Sequence, residues 1–419
     1  MITQLRTGAW LDRERLAGYC LILFVLELLT FLFMVAGTHG LIVPLAHPTT
    51  TDFVSFYSAG VLANHGAPAL AYDPTTHYAV ERQIRGQGID YQYFYYPPVY
   101  LLLCSVLARL PYMAAFFLFE ATTLALFLAA GCAIAGERRL SVLLPLVAFP
   151  SVFWTFGLGQ NAFLTAALFA AATLSIDRRP VLAGLLFGAL CYKPHVGLLV
   201  PVALAASGRW RAFGAAAAGA TALALLSLGL YGADCWRGFF AAAGQSYGTY
   251  VGGRIDFAGF VSPFGAVRLA AGSPALAYAV QAAAMVAAVT FVAIVWRREL
   301  ALPTRAAALS AATLLAAPVL LVYDLLLAAV AVLWLARGTR EDGWLPWERT
   351  VLAALFLTPL FGRNLAAALH VPVLPLAALA LFATVAARAR SEIVRRRGDG
   401  VTRRELAGAV TSSALRVGL

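Results

Sequence analysis

Repeated long apolar runs constrain this chain more than any other feature. They are roughly 17 to 25 residues long, which is the helical length needed to cross about 30 Å of hydrocarbon. Hydrophobic residues make up 61% of the 419 positions and charged residues only 12%. A soluble fold could not cover so much apolar surface. The sequence therefore predicts an all-α, polytopic membrane protein with about twelve spans.

The arginines predict the orientation of these spans. The formal net charge is +11, but the basic residues fall in short turns between apolar runs, as the positive-inside rule expects of cytoplasmic turns, and nucleic acid is not an expected partner. Both chain ends are then cytoplasmic and residues 38–98 lie outside. We expect one membrane domain over residues 1–390 and an Arg-rich cytoplasmic tail over residues 391–419. The turns that carry this prediction contain Arg138, Arg178, Arg209, Arg297 and Arg337.

The polar interval 38–98 is the predicted active-site loop. Asp52 follows the exit of the first apolar run, where a carboxylate can accept a proton from an acceptor hydroxyl while the other reactant stays in lipid. A simpler interpretation is that Asp52 caps a helix through the backbone N–H groups of Val54 or Ser55. Asp73 and Asp90 are the alternative bases in the same interval.

Lys193 is the only lysine of the chain. It stands between two short apolar segments, residues 181–192 and 196–206, which predict a broken hairpin with Lys193 at its tip. An ammonium in apolar surroundings needs a polar cavity or an anionic partner, and a lipid phosphate fits that need. The structural alternatives are that Lys193 reaches the interface or forms a pair with Glu27, Glu120 or Asp324.

Further polar and aromatic side chains are candidates for substrate binding. Arginines predicted on the outer side suit a phosphate, and solvated loop positions would explain them equally well. Amides suit sugar hydroxyls, with helix capping as the alternative, and tyrosines suit a sugar ring or an interfacial aromatic belt. The phosphate candidates are Arg82, Arg85 and Arg363; the sugar or acceptor candidates are Tyr57, Asp73, Tyr95, Tyr96, Gln160, Asn161, His195 and Asp324.

Motifs for metals and nucleotides are missing from the sequence. It contains no Asp-x-Asp, GxxxxGK[ST] or HExxH. The five cysteines show no paired spacing that would indicate a zinc site or a disulfide framework. We therefore expect no cofactor and no metal.

Several separated motifs resemble glycosyltransferase family 87, the membrane-embedded GT-C enzymes that use polyprenyl-phosphate sugars. They occur in the family's order over residues 20–335. The motifs are DFVSFY at 52–57, AYD at 71–73, YYPP at 95–98, GQN at 159–161, KP at 193–194 and PVLLVYD at 318–324.

The resemblance implies a function and roles for two residues. It implies inverting transfer of mannose or arabinofuranose from a polyprenyl phosphate to a lipid or glycan acceptor outside the cytoplasmic membrane. Asp52 would be the base, and Lys193 would offset charge that develops on the departing phosphate.

Two other functions fit the same pattern. Short paired helices around a midplane charge are typical of a secondary transporter, with Lys193 and Asp324 at its site. The missing two-half symmetry and the large acidic first loop argue against it. A scaffold or polymer-assembly partner without catalysis is the third interpretation.

Overall fold

The computed structural model describes residues 2–36, 51–86, 88–251 and 255–416. Eighteen α-helices account for most of this chain, and the described residues contain no β-strand, only a bridge between Phe260 and Leu321. The first nine helices are α1 (Ile2–Thr7), α2 (Arg13–Ala36), α3 (Thr51–Asn64), α4 (Pro74–Arg85), α5 (Pro98–Leu107), α6 (Tyr112–Ala135), α7 (Leu140–Val147), α8 (Pro150–Leu158) and α9 (Ala162–Ser175). The rest are α10 (Pro180–Ala189), α11 (Val200–Ala206), α12 (Trp210–Val251), α13 (Pro263–Leu269), α14 (Pro274–Arg297), α15 (Leu302–Ala316), α16 (Leu326–Asp342), α17 (Glu348–Leu369) and α18 (Val373–Arg416).

Seven of the described helices are long and apolar enough to cross a membrane, or eight if the bent pair α7 and α8 forms one span. The chain is thus an all-α polytopic membrane protein, but the predicted count of about twelve spans is not confirmed. The difference comes from short apolar runs such as α10 and α11. They have 10 and 7 residues and rise about 15 Å and about 10 Å, so neither crosses about 30 Å of hydrocarbon.

Two segments predicted as loops are largely helical. Within the predicted active-site loop, the described residues form α3, a 3₁₀ turn (Pro68–Tyr72) and α4, followed by an extended segment that leads into α5. Residues 38–50 and 87 of that loop lie outside the described residues. The sequence also predicts a second polar loop outside the membrane over residues 232–262, and its first part is wrong, because α12 continues to Val251 after a single non-helical residue, Gly232 (φ 77°). The glycine allows the break because it has no Cβ to clash at positive φ.

Packed helices connect two chemically different ends of the bundle. Helices α6, α9, α15 and α16 pack on one another around the largest hydrophobic core. Their arginine-bearing ends are tied together by ion pairs: Asp177 binds Arg209 (2.6 Å) and Arg305 (2.9 Å), and Glu137 binds Arg340 (2.7 Å). We call this the arginine end.

The N-terminal segment joins the same end. The backbone N–H of Trp347 donates to the carbonyl of Arg6 at 2.7 Å, and the Thr350 hydroxyl donates to the carbonyl of Leu5 at 2.7 Å. Helix α9 alone has 14 residues, so about 21 Å separates this end from the one where α9 begins. The turns predicted to be cytoplasmic therefore include several that converge in space.

Candidate active site

Three breaks between helices meet at the end opposite the arginines. Asn161 precedes α9, Lys193 separates the 3₁₀ turns Leu190–Tyr192 and Pro194–Gly197, and Asp324 lies in the 3₁₀ turn Val322–Leu325 before α16. Lys193 Nζ donates to Asp324 Oδ1 at 2.5 Å and to Asn161 Oδ1 at 3.4 Å. Because the Lys193 and Asp324 side chains are only 4% and 2% exposed, each charge requires the other.

Local chain chemistry explains why the helices break here. Pro194 cannot donate a backbone hydrogen bond, so a regular helix does not continue through residues 190–197. The carboxylate of Asp324 folds back and accepts the N–H of Leu321 at 3.1 Å through Oδ2. Gly159 takes a left-handed conformation (φ 67°), and a Cβ there would come within 2.6 Å of the Cβ of Phe53. Glycine at this position brings the turn before α9 against α3.

Asp52 lies in the first turn of α3 and points toward these breaks. Its carboxylate is in hydrogen-bond contact with the Gln160 side chain and feels the charge of Lys193. Burial raises the pKa of Asp52 to about 6, although Gln160 and Lys193 both favour its ionised form. Helix α3 is fixed there by close packing on α5, where a Cβ on Gly60 would lie 2.1 Å from the carbonyl oxygen of Cys104. A partly buried carboxylate with a near-neutral pKa is suited to proton transfer.

Aromatic side chains form a wall beside this cluster. Tyr96 contacts Asn161, and its ring lies 4.6 Å from that of Tyr100. Tyr100 in turn stacks on Tyr192 at 5.1 Å, and the hydroxyls of Tyr192 and Thr165 are 2.6 Å apart. Thr165, Tyr100 and Tyr192 were not predicted from the sequence. The sequence offered a signal for Tyr192, which directly precedes Lys193. It offered none for Thr165, which is one of several threonines in apolar helices.

A buried histidine and glutamate behind α3 were also missed. His77 Nε2 lies 3.1 Å from the carbonyl oxygen of Ser55, and His77 Nδ1 lies 3.5 Å from Glu81 Oε1, with both side chains fully buried. Burial raises the pKa of Glu81 to about 8, with a smaller contribution from the charge of Asp52. Burial lowers the pKa of His77 to about 4. The i, i+4 spacing of the two residues in α4 was the available sequence signal.

Three other residues predicted for the site instead form contacts within the chain. Asp73 caps α4, because its Oδ2 accepts the Thr76 N–H at 2.9 Å and the Thr76 hydroxyl at 2.6 Å. Arg363 donates to Asp256 at 2.8 Å, so the structure places it in a surface ion pair. The Tyr57 hydroxyl donates to the carbonyl of Leu110 at 2.7 Å.

The structure does not place the remaining candidates in direct contact with Asp52 or Lys193 through any described hydrogen bond or ion pair. Arg82 lies over the ring of Tyr78 at 4.6 Å, and Arg85 lies over that of Tyr112 at 5.2 Å. His195 is half-buried and two residues beyond Lys193. Tyr95 belongs to a stack of tyrosines described below. Among the described residues, no three His, Cys, Asp or Glu side chains are placed to hold a metal ion.

Comparison with known proteins gives one match. The sequence model of glycosyltransferase family 87 matches residues 94–322, more than half of the 419 residues. No curated protein and no solved structure matches. Gln160, Asn161 and Lys193 lie inside the matched range, whereas Asp52 precedes it and Asp324 lies two residues beyond it.

Proposed function

The chain belongs to glycosyltransferase family 87, a family of GT-C-type membrane glycosyltransferases, and we propose that it transfers a sugar from a polyprenyl-phosphate donor to a lipid or glycan acceptor. The sugar is mannose or arabinofuranose, and the transfer inverts the anomeric centre. The observation that carries this proposal is the convergence of Asp52, Gln160 and Lys193 on one buried site. A transporter or scaffold function has no comparable support from the family.

Asp52 is the proposed general base. With a pKa of about 6, its carboxylate is mainly ionised at pH 7 and can take the proton of an acceptor hydroxyl. The hydroxyl oxygen then attacks the anomeric carbon, the bond from that carbon to the phosphate oxygen breaks, and polyprenyl phosphate leaves with the electron pair. Gln160 holds the carboxylate in position during this step. The contacts with Gln160 and Lys193 favour the ionised form and keep Asp52 available as a base although desolvation raises its pKa.

Lys193 is the proposed partner of the donor phosphate. An ammonium has three N–H groups, and the described residues supply acceptors for two of them, Asp324 and Asn161. The third can bind a phosphate oxygen, where negative charge increases as the sugar departs. Asp324 balances the charge of Lys193, so the pair as a whole is neutral. Binding of the phosphate therefore depends more on where the third N–H group of Lys193 points than on the net charge of the site.

The other predicted residues have ancillary roles in this proposal. Gln160, Asn161 and Tyr96 present amide and hydroxyl groups to the sugar, and His195 and Asp324 border the same space. Arg82 and Arg85 are the proposed additional phosphate contacts, approached from α4. Tyr57, Asp73 and Arg363 contribute indirectly, through their contacts within the chain.

The site is proposed to face outside the cytoplasm, in the plasma (inner) membrane. The active-site breaks and the arginine end lie at opposite ends of α9, and positively charged turns favour the cytoplasmic side. Cysteine-accessibility labelling in a cysteine-free background tests this orientation. Labelling from outside at position 178 or 209 would reverse it.

The decisive experiment is Asp52→Asn in the full-length protein. The asparagine retains the size and much of the hydrogen bonding but cannot accept the proton, so transfer should fall by roughly 100 to 10,000-fold. Purified protein is incubated with radiolabelled polyprenyl-phosphate mannose or arabinofuranose and a membrane extract as acceptor. Asp90→Asn is the matched control, because Asp90 is an exposed carboxylate of the same segment. Transfer by Asp52→Asn within a few-fold of the parent protein would falsify the base assignment.

A further inference from the structure

Three tyrosines form a ladder on one face of the extended segment before α5. The rings of Tyr91 and Tyr93 are 4.6 Å apart, and Tyr93 stacks on Tyr95 at 5.2 Å with an interplanar angle of 8°. Side chains alternate between the two faces of an extended chain, and Phe94 and Tyr96 accordingly pack together on the other face at 5.8 Å. We call Tyr91, Tyr93 and Tyr95 the tyrosine ladder.

The ladder lines a cavity that is separate from the charged cluster. The cavity has a volume of about 440 Å³ and lies between the extended segment and the second part of α12, which contributes Gln245. Tyr72 and Phe94 close its inner side, and both are buried in the core. Tyr93 keeps 44% of its surface exposed. The volume falls within the range of about 300 to 1,000 Å³ that is usual for ligand sites.

The chemistry of the cavity selects a neutral, hydroxyl-rich ligand. None of the described residues that line it carries a charge, so it offers no cation to a phosphate. Flat ring faces suit the apolar C–H face of a sugar, and phenol and amide groups suit its hydroxyls. From this combination we propose that the tyrosine ladder and Gln245 form a binding subsite for the neutral oligosaccharide portion of the acceptor.

The position of the ladder argues against a role as a membrane-interface belt. All three tyrosines lie outside the seven candidate spans, on a segment without helix. Tyr91 also packs inward, with its ring 5.7 Å from His77 and 5.6 Å from Tyr78. An interfacial belt instead places rings on the lipid-facing ends of spanning elements.

The ladder continues directly into the proposed active site. Tyr95 is followed by Tyr96, which contacts Asn161, and the five steps from Tyr91 to Tyr96 span about 16 Å of extended chain. An oligosaccharide on the ladder is therefore held beside the site where its terminal hydroxyl must react. The identity of this ligand as the acceptor rests on the proposed function, whereas the sugar-binding property itself does not.

Direct binding tests the subsite without requiring transfer. Full-length protein in detergent is titrated with neutral trisaccharides of mannose, arabinofuranose, glucose and galactose, and binding is followed by saturation-transfer NMR. Tyr93→Ala should weaken the bound trisaccharide about tenfold, whereas Tyr93→Phe, which keeps the ring face, should stay within about threefold. Tyr19→Ala is the control, because Tyr19 is an exposed tyrosine on the spanning helix α2 and should change nothing.

Kinetics separates this inference from the proposed function. Tyr93→Ala should raise the acceptor KM about tenfold and leave kcat and the donor KM unchanged, as expected when uniform binding is lost. Ring-dependent trisaccharide binding by a protein that transfers no sugar would support the subsite and overturn the function. The subsite is overturned if no trisaccharide binds in a ring-dependent way.

Discussion

Two buried ion pairs at opposite ends of the bundle differ in how completely the chain satisfies them. At the arginine end, Arg388 Nε donates to Glu348 Oε1 at 2.9 Å and Nη2 donates to Oε2, while Nη2 also reaches the carbonyl of Gly343 at 2.9 Å. The N–H of Leu345 donates to Glu348 Oε2 at 2.8 Å. The guanidinium fork and both carboxylate oxygens are thus engaged by α17, α18 and the turn before them.

The Lys193–Asp324 pair at the other end is equally buried, but the described residues satisfy fewer of its hydrogen-bonding groups. Lys193 offers a point charge with three donors instead of a fork, and its described acceptors are Asp324 and Asn161. All three residues stand at breaks between helices and not within them. The comparison teaches that burial of a charge pair alone does not indicate function in this protein. What distinguishes the proposed active-site pair is its location at chain breaks and a third Lys193 N–H group for which the described residues supply no hydrogen-bond acceptor.

The largest expected effect is on stability, and it concerns the arginine end. Arg388→Met leaves Glu348 buried without its partner, which should lower the free energy of unfolding by about 3 to 5 kcal/mol. Thermal unfolding in detergent measures the loss. Transfer per folded molecule should remain near normal. Arg396→Met is the control, since Arg396 is half-exposed in its pair with Glu392. Equal losses of stability in Arg388→Met and Arg396→Met would contradict the expected difference between a buried and a half-exposed ion pair.

Replacing each pair as a whole sharpens the comparison further. Lys193→Met combined with Asp324→Leu leaves no lone charge, so the fold should persist while transfer falls by roughly 100 to 1,000-fold, as for loss of a transition-state donor. Glu348→Leu combined with Arg388→Met should keep transfer within a few-fold, because apolar replacement of a buried pair is often neutral. Sugar-transfer rates of the two double variants, measured at equal concentrations of folded protein, test both expectations. Equal losses in the two double variants would contradict a functional role for Lys193.

The pH dependence of transfer should reflect Asp52. Its pKa is raised in the folded protein to about 6, and only the ionised form is a base, so activity rises with pH through 6 and then levels. At pH 5 about one tenth of the carboxylate is ionised, and kcat/KM should be about tenfold lower than the plateau. The residual activity of Asp52→Asn should lack this step. A step that persists in the variant would assign it to another group, with Glu81 next to be tested.

The smallest effect is expected at Asp73, whose carboxylate is already engaged by the chain. Asp73→Ala removes the cap of α4 and should lower stability by about 1 kcal/mol. Transfer should change less than twofold, because the cap contacts no substrate in our proposal. Differential scanning fluorimetry and the transfer assay measure both quantities. A large loss of transfer at unchanged stability would restore Asp73 as a substrate contact.

The sequence by itself determined the class of the protein and the identity of its rare groups. Apolar run lengths require an all-α membrane protein, since only helices satisfy the backbone within each run. The single lysine, the first acidic residue after the first run and the GQN turn stand out because charged and amide groups are costly in lipid. These signals are local, and local patterns are readable from one chain.

Tertiary structure alone decided which of these groups meet. Asp324 was one of three acidic partners considered for Lys193, and only packing of α16 beside α9 brings it within 2.5 Å. The number of spans, the burial of His77 and Glu81 against α3, and the cavity beside the tyrosine ladder were likewise not encoded in any local pattern. Each depends on contacts between segments far apart in the chain. Periodicity and composition carry no information on such contacts, because they report how one segment meets its solvent and not which segment it meets.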